Sequence, residues 1–400
     1  MRLVFAHDHT FTQYDGQLYS PGRLPYSAWR RYLAAFDEVT VLARVRAADN
    51  EPEVELMQRA DGPRVNFVGL RPARGLRRAL SLVGRDKAVV DAAIAGAHAL
   101  VARVPSEIGL AAASAARRAG IAVACEVVAS AWDSLWHHGG AVSKLYAPLF
   151  EQRTRVCVAN SRFALYVTRN FLQDKYPCQG TVAAASNVTV TTKAEVLDRR
   201  LRRIAGHAGP LVVGFVGSLH AAYKGLDVAL RAIAKARERH INVVLQVVGE
   251  GPTAPWRRAA AELGVEGRVQ FVGALPGSAA VLQWLDAVDV YVHPSLAEGL
   301  PRSLIEAMSR GCLCFGSRVG GIPELLDEAF LHYPADHRRL ADQLGLGRGK
   351  DLRAAAAEQN AARIKIYAPE RLEQIRADFF GRLAQHAANA SAGFRIEARG

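Results

Sequence analysis

Short apolar runs alternate with alanine-rich stretches along this chain, and the alternation limits the folds it can adopt. In the first half, runs typical of buried strands lie at residues 3–6, 38–43, 65–70, 99–104, 121–128 and 156–159. Between them, apolar residues have helical spacing at residues 26–36, 85–95 and 108–120. The alternation resumes with strand-like runs at residues 210–217, 243–249, 269–273, 288–292 and 312–317. Because strands that alternate with helices form parallel sheets covered on both faces, we predict an α/β fold of two Rossmann-like domains facing a cleft.

The domain boundaries follow from where this pattern weakens. The alternation of strand-like and helical segments ends near residue 185, and residues 191–209 are rich in arginine and contain no strand-like run. We therefore predict a first domain at residues 1–190, a linker at 191–209 and a second domain at 210–368. Residues 369–388 have the spacing of an amphipathic helix, and residues 389–400 are predicted to be a disordered tail.

The net charge of +13 raises the question of which anionic partner, if any, the basic residues bind. The basic residues are spread out, and no zinc finger or RNP-like stretch is present, so we predict no nucleic-acid partner. An anionic membrane surface or an anionic substrate is compatible with this charge, with candidate patches at residues 71–85, which hold five arginines, and 199–203. An ordinary solvated basic surface accounts for the charge equally well.

The cysteines and the apolar runs bear on the location of the protein. The five cysteines are scattered, which is typical of reduced thiols in a cytoplasmic protein, and the pair Cys312 and Cys314 is expected in the core rather than at a metal. No uncharged apolar run reaches the length of a membrane span, and the first residues indicate a buried strand rather than a signal peptide. We predict a cytoplasmic protein, peripheral at the inner face of the membrane.

Two glutamates follow the strand-like run at residues 288–292. Glu298 is expected in a turn, and Glu306 about one turn inside the helix that follows. Gly299 allows a ligand to approach the backbone closely, and free N–H groups at a helix start favour an anion. Two hydroxyl acceptors beside a phosphate cradle suit a sugar nucleotide. The alternative is one acid favoured by the helix dipole and one solvated acid.

The order of motifs from residue 294 to residue 311, followed by Gly320-Gly321, resembles glycosyltransferase family 4, the group 1 glycosyltransferases. Glu298 and Glu306 match the E-x7-E motif of these retaining enzymes with the GT-B fold. The resemblance implies transfer of a sugar from a nucleotide diphosphate sugar to an acceptor hydroxyl, without a metal or another cofactor. It also implies a C-terminal helix that crosses back to the first domain.

The resemblance assigns the donor contacts in the second domain. Glu298 would contact hydroxyls of the transferred sugar and is a catalytic candidate, and Glu306 would bind the ribose. The diphosphate would lie against the backbone of Gly299, Leu300 and Pro301. Lys224 matches the family's phosphate-binding lysine, and its alternative is a solvated surface lysine.

Five further residues complete the predicted donor site. Gly217 ends the first strand of the domain, and Gly249 begins a Gly-x-Gly turn. Val272 and Gly273 lie in the segment that in relatives wraps the nucleotide base with backbone groups. Residues 218–220 lack an arginine that many members carry, and Arg302 is the candidate to supply that charge.

The first domain departs from the family pattern. Residues 7–26 are predicted to form a long loop, in which Gly16 and Gly22 are the counterparts of a glycine-rich phosphate loop, without its usual Gly-Gly pair. His7 and His9 are expected to contact the acceptor or to support the loop, and a metal is disfavoured because no third ligand is evident.

The acceptor-side catalytic group is the second departure. Many family members carry a histidine after residues 121–128, where this chain has none, so Asp133 and then Glu126 are the candidates. Trp132 could stack on a sugar face or pack in the core. Ser106 is predicted to be a helix N-cap.

These observations favour a retaining glycosyltransferase. Its predicted partners are a nucleotide-sugar donor and a glycan or lipid-linked acceptor, such as a lipid-linked oligosaccharide in bacterial surface polysaccharide assembly. A sugar-nucleotide epimerase of the same fold and a non-catalytic binder of anionic polymers are the alternatives.

Overall fold

The computed structural model describes residues 1–21, 24–55, 57–73, 75–136, 140–191 and 193–397. The chain forms two compact units. The first consists of Met1–Ala185 together with residues from Glu373 onward, and the second is Ser186–Leu372.

The first unit is built on a mainly parallel sheet. Its strands are β1 (Arg2–Tyr14), β2 (Gln17–Ser20), β3 (Glu38–Ala47), β4 (Gln58–Arg59), β5 (Val65–Leu70), β6 (Ala99–Val104), β7 (Ala122–Val127), β8 (Phe163–Tyr166) and β9 (Thr181–Ala184). The parallel strands have the order β5-β3-β1-β6-β7-β8-β9, while β2 pairs antiparallel with the far end of β1 and with β4. The sheet is therefore the predicted parallel core with an antiparallel extension.

Helices cover this first sheet. They are α1 (Arg30–Leu33), α2 (Pro52–Glu55), α3 (Arg77–Val83), α4 (Lys87–Ile94), α5 (Glu107–Arg118), α6 (Ala131–Trp136), α7 (Ala141–Ala159) and α8 (Phe171–Lys175). Ile108 and Ala112 of α5 are fully buried with Leu100 and Ala102 of β6 in one hydrophobic core. The small side chains of Ala112 and Ala102 allow the helix to lie close to the sheet.

The second unit contains a purely parallel sheet. Its strands are β10 (Leu211–Val216), β11 (Val243–Val248), β12 (Val269–Gly273), β13 (Val290–His293), β14 (Leu313–Ser317) and β15 (Leu331–His332). Its helices are α9 (Ala194–Ala205), α10 (Leu226–Glu238), α11 (Ala254–Glu262), α12 (Gly277–Leu285), α13 (Arg302–Ser309), α14 (His337–Leu346) and α15 (Lys350–Arg363). The strand order is β12-β11-β10-β13-β14-β15.

Each sheet reverses its strand order beside its first strand. In the first unit, β1 lies between β3 and β6, and in the second unit β10 lies between β11 and β13. Ligands of open α/β sheets bind outside the carboxyl ends of the strands at such a reversal. The fold therefore directs attention to the ends of β1 and β6, and of β10 and β13.

The last helix, α16 (Pro369–Glu397), returns to the first unit. Its buried Phe379 and Phe380 meet Phe163 and Tyr32, with ring centroids 6.0 and 4.9 Å apart. The described structure continues this helix beyond residue 388, where the sequence predicted a disordered tail, and residues 398–400 lie outside the described part. None of the helices described combines the length and hydropathy needed to cross a bilayer.

Two segments differ from the sequence prediction. Residues 156–159 are the end of α7 and not a strand, because Cys157 and Val158 turn to the core at helical spacing and a short apolar run cannot distinguish the two. The predicted linker contains α9, which packs within the second unit. Arg200 of α9 is buried and donates hydrogen bonds to the backbone carbonyls of Leu285, Val288 and Arg310, so a charged residue here belongs to the interior.

The predicted long loop at residues 7–26 is a third difference. Most of it is the continuation of β1 and its hairpin with β2. Asp15 and Gly16 form the two-residue turn, both with positive φ (44° and 70°), as a hairpin of this length requires. The Asp-Gly pair was the missed hairpin signal.

Candidate functional site

Glu298 is the most densely bonded carboxylate of the predicted donor site. It lies in the turn between β13 and α13, and its side chain is 9% exposed. Its Oε1 accepts hydrogen bonds from Lys224 Nζ (2.6 Å) and Ser295 Oγ (3.0 Å), and His293 Nε2 lies 2.8 Å away. Burial raises the pKa of Glu298, but His293 and Lys224 outweigh burial and lower it to about 2. Glu298 is therefore ionised at neutral pH.

The second oxygen of this carboxylate is differently placed. All three contacts converge on Oε1, and no donor from the described part of the chain reaches Oε2. An ionised carboxylate oxygen only accepts hydrogen bonds. The arrangement fixes the Glu298 side chain and leaves Oε2 able to receive a ligand hydroxyl.

Lys224 reaches Glu298 because two loops are pressed together. Gly225 has a positive φ of 77°, and a Cβ there would lie 2.0 Å from the carbonyl oxygen of Pro294. Leu296 N donates a hydrogen bond to Tyr223 O at 2.7 Å. Only glycine permits this approach, so Gly225 holds Lys224 beside the end of β13.

A second glycine turn supports Glu298 from the other side. Gly320 has a φ of 55°, and a Cβ there would lie 2.1 Å from the carbonyl oxygen of Glu298. Gly321 N donates a hydrogen bond to Gly299 O at 2.7 Å. The Gly320-Gly321 pair that carried part of the family resemblance thus fixes the backbone of the Glu298 turn.

The start of α13 has an open N-terminus. Pro301 is its N-cap residue, in extended conformation, and no side chain caps the helix. The amides of the first helical turn have no partner within a helix and give it a partial positive charge. Arg302, the first helical residue, is exposed, Pro301 is buried, and Gly299 and Leu300 are half-buried. The structure therefore presents backbone donors and a cation where the diphosphate was predicted.

Glu306 contrasts with Glu298. It is half-buried in α13, and no hydrogen-bond donor to its carboxylate is present among the described residues. Burial raises the pKa of Glu306, and the charge of Arg302 only partly opposes this. A ligand that donates hydrogen bonds would supply what the protein does not.

Backbone contacts join the other predicted donor positions. A Cβ on Gly249 would lie 1.9 Å from the carbonyl oxygen of Gly217, so the ends of β10 and β11 touch at this point. Gly249 N donates a hydrogen bond to Gly273 O at 2.9 Å. Gly273 has a φ of 86° beside open space, and Val272 is 41% exposed. These residues form one continuous edge at the carboxyl ends of β10, β11 and β12.

In the first unit, the helix start that corresponds to the start of α13 is that of α5, and a side chain of the same unit bonds its backbone N–H groups. Asp8, in β1, pairs with the buried Arg44 at 2.9 Å. Its other oxygen accepts hydrogen bonds from the backbone N–H groups of Glu107 (2.5 Å) and Ile108 (3.2 Å) at the start of α5. The predicted N-cap, Ser106, is confirmed by its contact with Gly109 N at 3.0 Å. A carboxylate of the chain itself thus occupies this helix start.

The two histidines beside Asp8 are held by protein groups. His7 Nδ1 lies 3.1 Å from the carbonyl oxygen of Arg103, and burial with the charge of Arg103 lowers its pKa to about 3. His9 Nε2 lies 2.9 Å from Ser20 Oγ, and its ring packs on Phe11. Within the described ranges, no three His, Cys, Asp or Glu side chains converge as metal ligands.

The predicted acceptor-side residues lie in two places. Glu126, in β7, is buried, accepts a hydrogen bond from Tyr32 OH at 2.6 Å and faces Arg103 at 3.6 Å. Trp132 and Asp133 lie in α6, where the Trp132 ring stacks on half-exposed Trp136 with centroids 5.0 Å apart. Gly16 lies in the hairpin turn, and Gly22 falls outside the described residues.

The sequence interpretation missed His293 and Ser295 as partners of Glu298, and Asp8 as the cap of α5. His293 ends the apolar strand β13 and Ser295 lies two residues beyond it, and both polar side chains are buried, which is unusual without a bonding role. Their position at the end of that strand was visible in the sequence. The Asp8 contact had no local signal, because its partners lie nearly one hundred positions away.

Comparison with known proteins places the chain in a recognised group. Residues 210–345 match the family model described as glycosyl transferases group 1. Protein CapJ of Staphylococcus aureus is 30% identical over 340 residues, which cover 84% of this chain and 83% of CapJ. A glycosyltransferase of Escherichia coli K12 named for colanic acid biosynthesis, WcaL, is 30% identical over 177 residues, 41% of this chain and 43% of WcaL.

The solved structures show the fold. HepE from Anabaena, in complex with UDP-glucose, superposes with a TM-score of 0.57 at 19% identity, covering 98% of this chain and all of HepE. Sucrose-phosphate synthase from Thermosynechococcus elongatus superposes with a TM-score of 0.68 at 16% identity, covering 96% and 98% of the two chains. This likeness and the two parallel sheets confirm the predicted GT-B fold.

Proposed function

The chain belongs to the group 1 glycosyltransferases, and we propose that it transfers a sugar from a nucleotide diphosphate sugar to an acceptor hydroxyl with retention of configuration. One observation carries this proposal: the ionised Glu298 is held by Lys224 beside the open start of α13. A cation, a free helix N-terminus and an aligned hydroxyl acceptor are together the complement of a sugar diphosphate.

Each part of the donor would meet one part of this cluster. The diphosphate would accept hydrogen bonds from the first amides of α13 and from Lys224 Nζ. The ribose hydroxyls would donate to Glu306, whose carboxylate is half-buried without a donor in the described structure. A hydroxyl of the transferred sugar would donate to Oε2 of Glu298. Gly217, Gly249, Val272 and Gly273 would surround the nucleoside.

The same groups would assist the departure of the nucleoside diphosphate. Negative charge grows on the leaving phosphate as the glycosidic bond breaks, and donors already in place stabilise it without reorganisation. Lys224 and the α13 N-terminus would provide the positive charge for a reaction that does not depend on a metal ion. Arg302 is exposed at the first helical position and could add to it.

Retention follows if the acceptor hydroxyl attacks from the face that the diphosphate leaves. A phosphate oxygen would then take the acceptor proton. Glu298 is unsuited to the role of general acid, because its pKa of about 2 keeps it ionised. The two glutamates would therefore bind the donor and would not act as the acid–base pair of a glycosidase.

Fewer contacts support the proposed binding site for the acceptor. Trp132, half-buried on α6, and the neighbouring Asp133 stay the proposed acceptor contacts, whereas Glu126, His7 and His9 are bonded within the first unit. The name of WcaL supports a role in polysaccharide assembly, and the net charge of +13 is compatible with a lipid-linked acceptor used at the inner face of the membrane.

A thermal-shift panel of UDP, GDP, ADP and their sugars tests the donor site. A ligand of the native state raises the melting temperature with the logarithm of its concentration. We expect one nucleotide series to stabilise the protein, with UDP the first choice because HepE holds UDP-glucose. The shift should largely disappear in Glu306→Ala. Absence of any shift, or an unchanged shift in Glu306→Ala, would contradict the donor site.

Product analysis tests the reaction. We expect turnover of the donor to require an acceptor, and NMR of the product to show the anomeric configuration of the donor. Conversion of the nucleotide sugar without an acceptor would indicate an epimerase. An inverted product would contradict retention while leaving the transferase reaction intact.

A further inference from the structure

One face of α7 carries exposed apolar side chains where a solvated helix would carry polar ones. Val142, Leu145, Leu149 and Val156 are exposed, Leu145 to 81% and Leu149 to 55%. Their spacing of three, four and seven positions places them on a single stripe. Another side of α7 faces the core, and there Phe150 and Cys157 are buried. The helix is therefore apolar on two faces, of which only one is used inside the protein.

Helix α3 repeats this arrangement. Leu82 is buried in the core, while Leu80 and Val83 are 68% and 79% exposed. A groove of about 740 Å³ is lined by both helices, with Leu80 and Val83 from α3 and Leu149 and Val156 from α7. The two apolar stripes therefore form one surface within the first unit, which we call the α3–α7 surface.

The groove of the α3–α7 surface has an excess of basic side chains, with Lys87, Arg117, Arg118 and Arg153 against one acid, Asp91. Arg77 on α3 and Arg155 on α7 are exposed and make no ion pair with any carboxylate of the described residues. Arg77 also lines a neighbouring depression of about 770 Å³ with Arg85 and Leu80. The segment from residue 71 to residue 85 contains five arginines and no acidic residue. Apolar side chains between unpaired arginines match the two layers of an anionic lipid surface.

We propose that the α3–α7 surface docks the protein on a bilayer that contains anionic phospholipid. The apolar stripes enter the boundary between headgroups and acyl chains, and Arg77 and Arg155 contact the lipid phosphates. The inference rests on the proposed function for its purpose, because docking would bring the first unit to a lipid-linked acceptor. Its physical basis is independent of the donor site, which lies in the second unit.

Vesicle co-sedimentation tests the docking directly. The full-length protein is mixed with vesicles of phosphatidylcholine alone or with phosphatidylglycerol added, at low and high salt. We expect binding to the anionic vesicles only, weakened by salt, since exposed charges are screened within about 10 Å at 0.1 M salt. No binding to anionic vesicles, or equal binding to both kinds, would overturn the proposal.

Matched variants locate the contact. We expect Leu149→Glu and Arg77→Glu each to weaken vesicle binding about tenfold, because each adds a negative charge and removes an apolar or basic contact. Leu346→Glu and Arg258→Glu are the controls: Leu346 is 53% exposed on the second unit, Arg258 is exposed there too, and both should leave binding unchanged. Equal loss in variants and controls would overturn the assignment.

Two further readouts distinguish lipid docking from misfolding and from dimerisation. The UDP thermal shift should be unchanged in Leu149→Glu, which shows that the variant is folded. Wild-type protein that binds anionic vesicles but shows no nucleotide shift would contradict the donor site and not the docking. Sedimentation velocity without lipid should give the same mass for wild type and Leu149→Glu. A dimer that Leu149→Glu dissociates would identify a second copy as the occupant and overturn the lipid proposal.

Discussion

The two units place a helix start at the same point of the same topology and treat it in opposite ways. In the first unit, α5 follows the strand next to β1, and the Asp8 carboxylate bonds its first amides. In the second unit, α13 follows the strand next to β10, and no side chain caps it. One helix start is filled by the chain's own anion, and the other is open.

The difference shows how the same fold can give one helix start that is bonded internally and another that is left open. Asp8 is neutralised by buried Arg44, so its charge and the helix dipole stabilise the first unit internally. In the second unit, Glu298 stands beside the helix start but bonds Lys224, His293 and Ser295 instead of the amides. The first amides of α13 are thus left without a carboxylate of the chain, which is why we propose that an anion of the donor binds there.

Asp8→Ala should open the filled helix start and produce the largest effect. It leaves Arg44 buried without its partner and removes a cap, so we expect the free energy of unfolding to fall by about 3–5 kcal/mol. Chemical denaturation measures this loss. The UDP thermal shift should persist at temperatures where the protein is folded. Loss of nucleotide binding in a folded variant would break the comparison, because it would place an anion site in the first unit.

Glu298→Gln should show how much the ionised carboxylate beside the start of α13 stabilises the folded protein. The pKa of Glu298 is lowered from 4.5 to about 2, so the ionised form stabilises the folded state by about 3 kcal/mol above pH 4.5. That stability is lost as the pH falls from about 4.5 through about 2. We expect the difference in unfolding free energy between wild type and variant to shrink over this range. Glu238→Gln, which alters an exposed pair with Lys235, is the control. A difference independent of pH would contradict the ionised pair.

Lys224→Ala should weaken the open site without filling it. Loss of a charge-assisted hydrogen bond to the diphosphate should lower nucleotide affinity about 10- to 100-fold, measured by calorimetry. Lys235→Ala removes a lysine of the neighbouring helix α10 that pairs on the surface with Glu238, and its affinity should match wild type. Equal affinity in Lys224→Ala and wild type would remove Lys224 from the donor site.

Pro301→Asp should convert the open helix start into a filled one. Pro301 has the extended conformation of an N-cap (φ −73°, ψ 113°), which an aspartate can adopt and use to bond the first amides. We expect the variant to gain about 1 kcal/mol of stability and to bind nucleotide about tenfold more weakly. Pro301→Ala, which adds no anion, should show the smaller loss of affinity. Equal losses in both would mean that the helix amides do not hold the phosphate.

The sequence predicted the second unit better than the first, for a physical reason. Glu298, Gly299 and Glu306 belong to one strand–turn–helix segment, whose geometry is set locally. Gly225 and Gly320 also belong to this segment's surroundings. A Cβ at either position would lie about 2 Å from a backbone carbonyl oxygen, so only glycine fits there. Motif spacing therefore located the helix start and its acids, but the bonding of Glu298 to His293 and Ser295 depends on how the turn folds.

The first unit depends on contacts that are distant in sequence. Asp8 meets Glu107 N across ninety-nine positions, and Tyr32 meets Glu126 across ninety-four. Periodicity carries no information about such pairs, so the sequence could show neither the bond of Tyr32 to Glu126 nor the bond of Asp8 to the start of α5. The prediction of a linker at residues 191–209 failed for a related reason. The hydrogen bonds of buried Arg200 to three carbonyls make this charged segment part of the interior.

A crystal structure of the protein with a nucleotide diphosphate tests the open helix start most directly. We predict phosphate oxygens within hydrogen-bond distance of the first amides of α13 and of Lys224 Nζ, with the ribose hydroxyls on Glu306. Asp8 should still bond the start of α5. A diphosphate bound at α5 in place of Asp8, or bound away from both Lys224 and α13, would contradict the account.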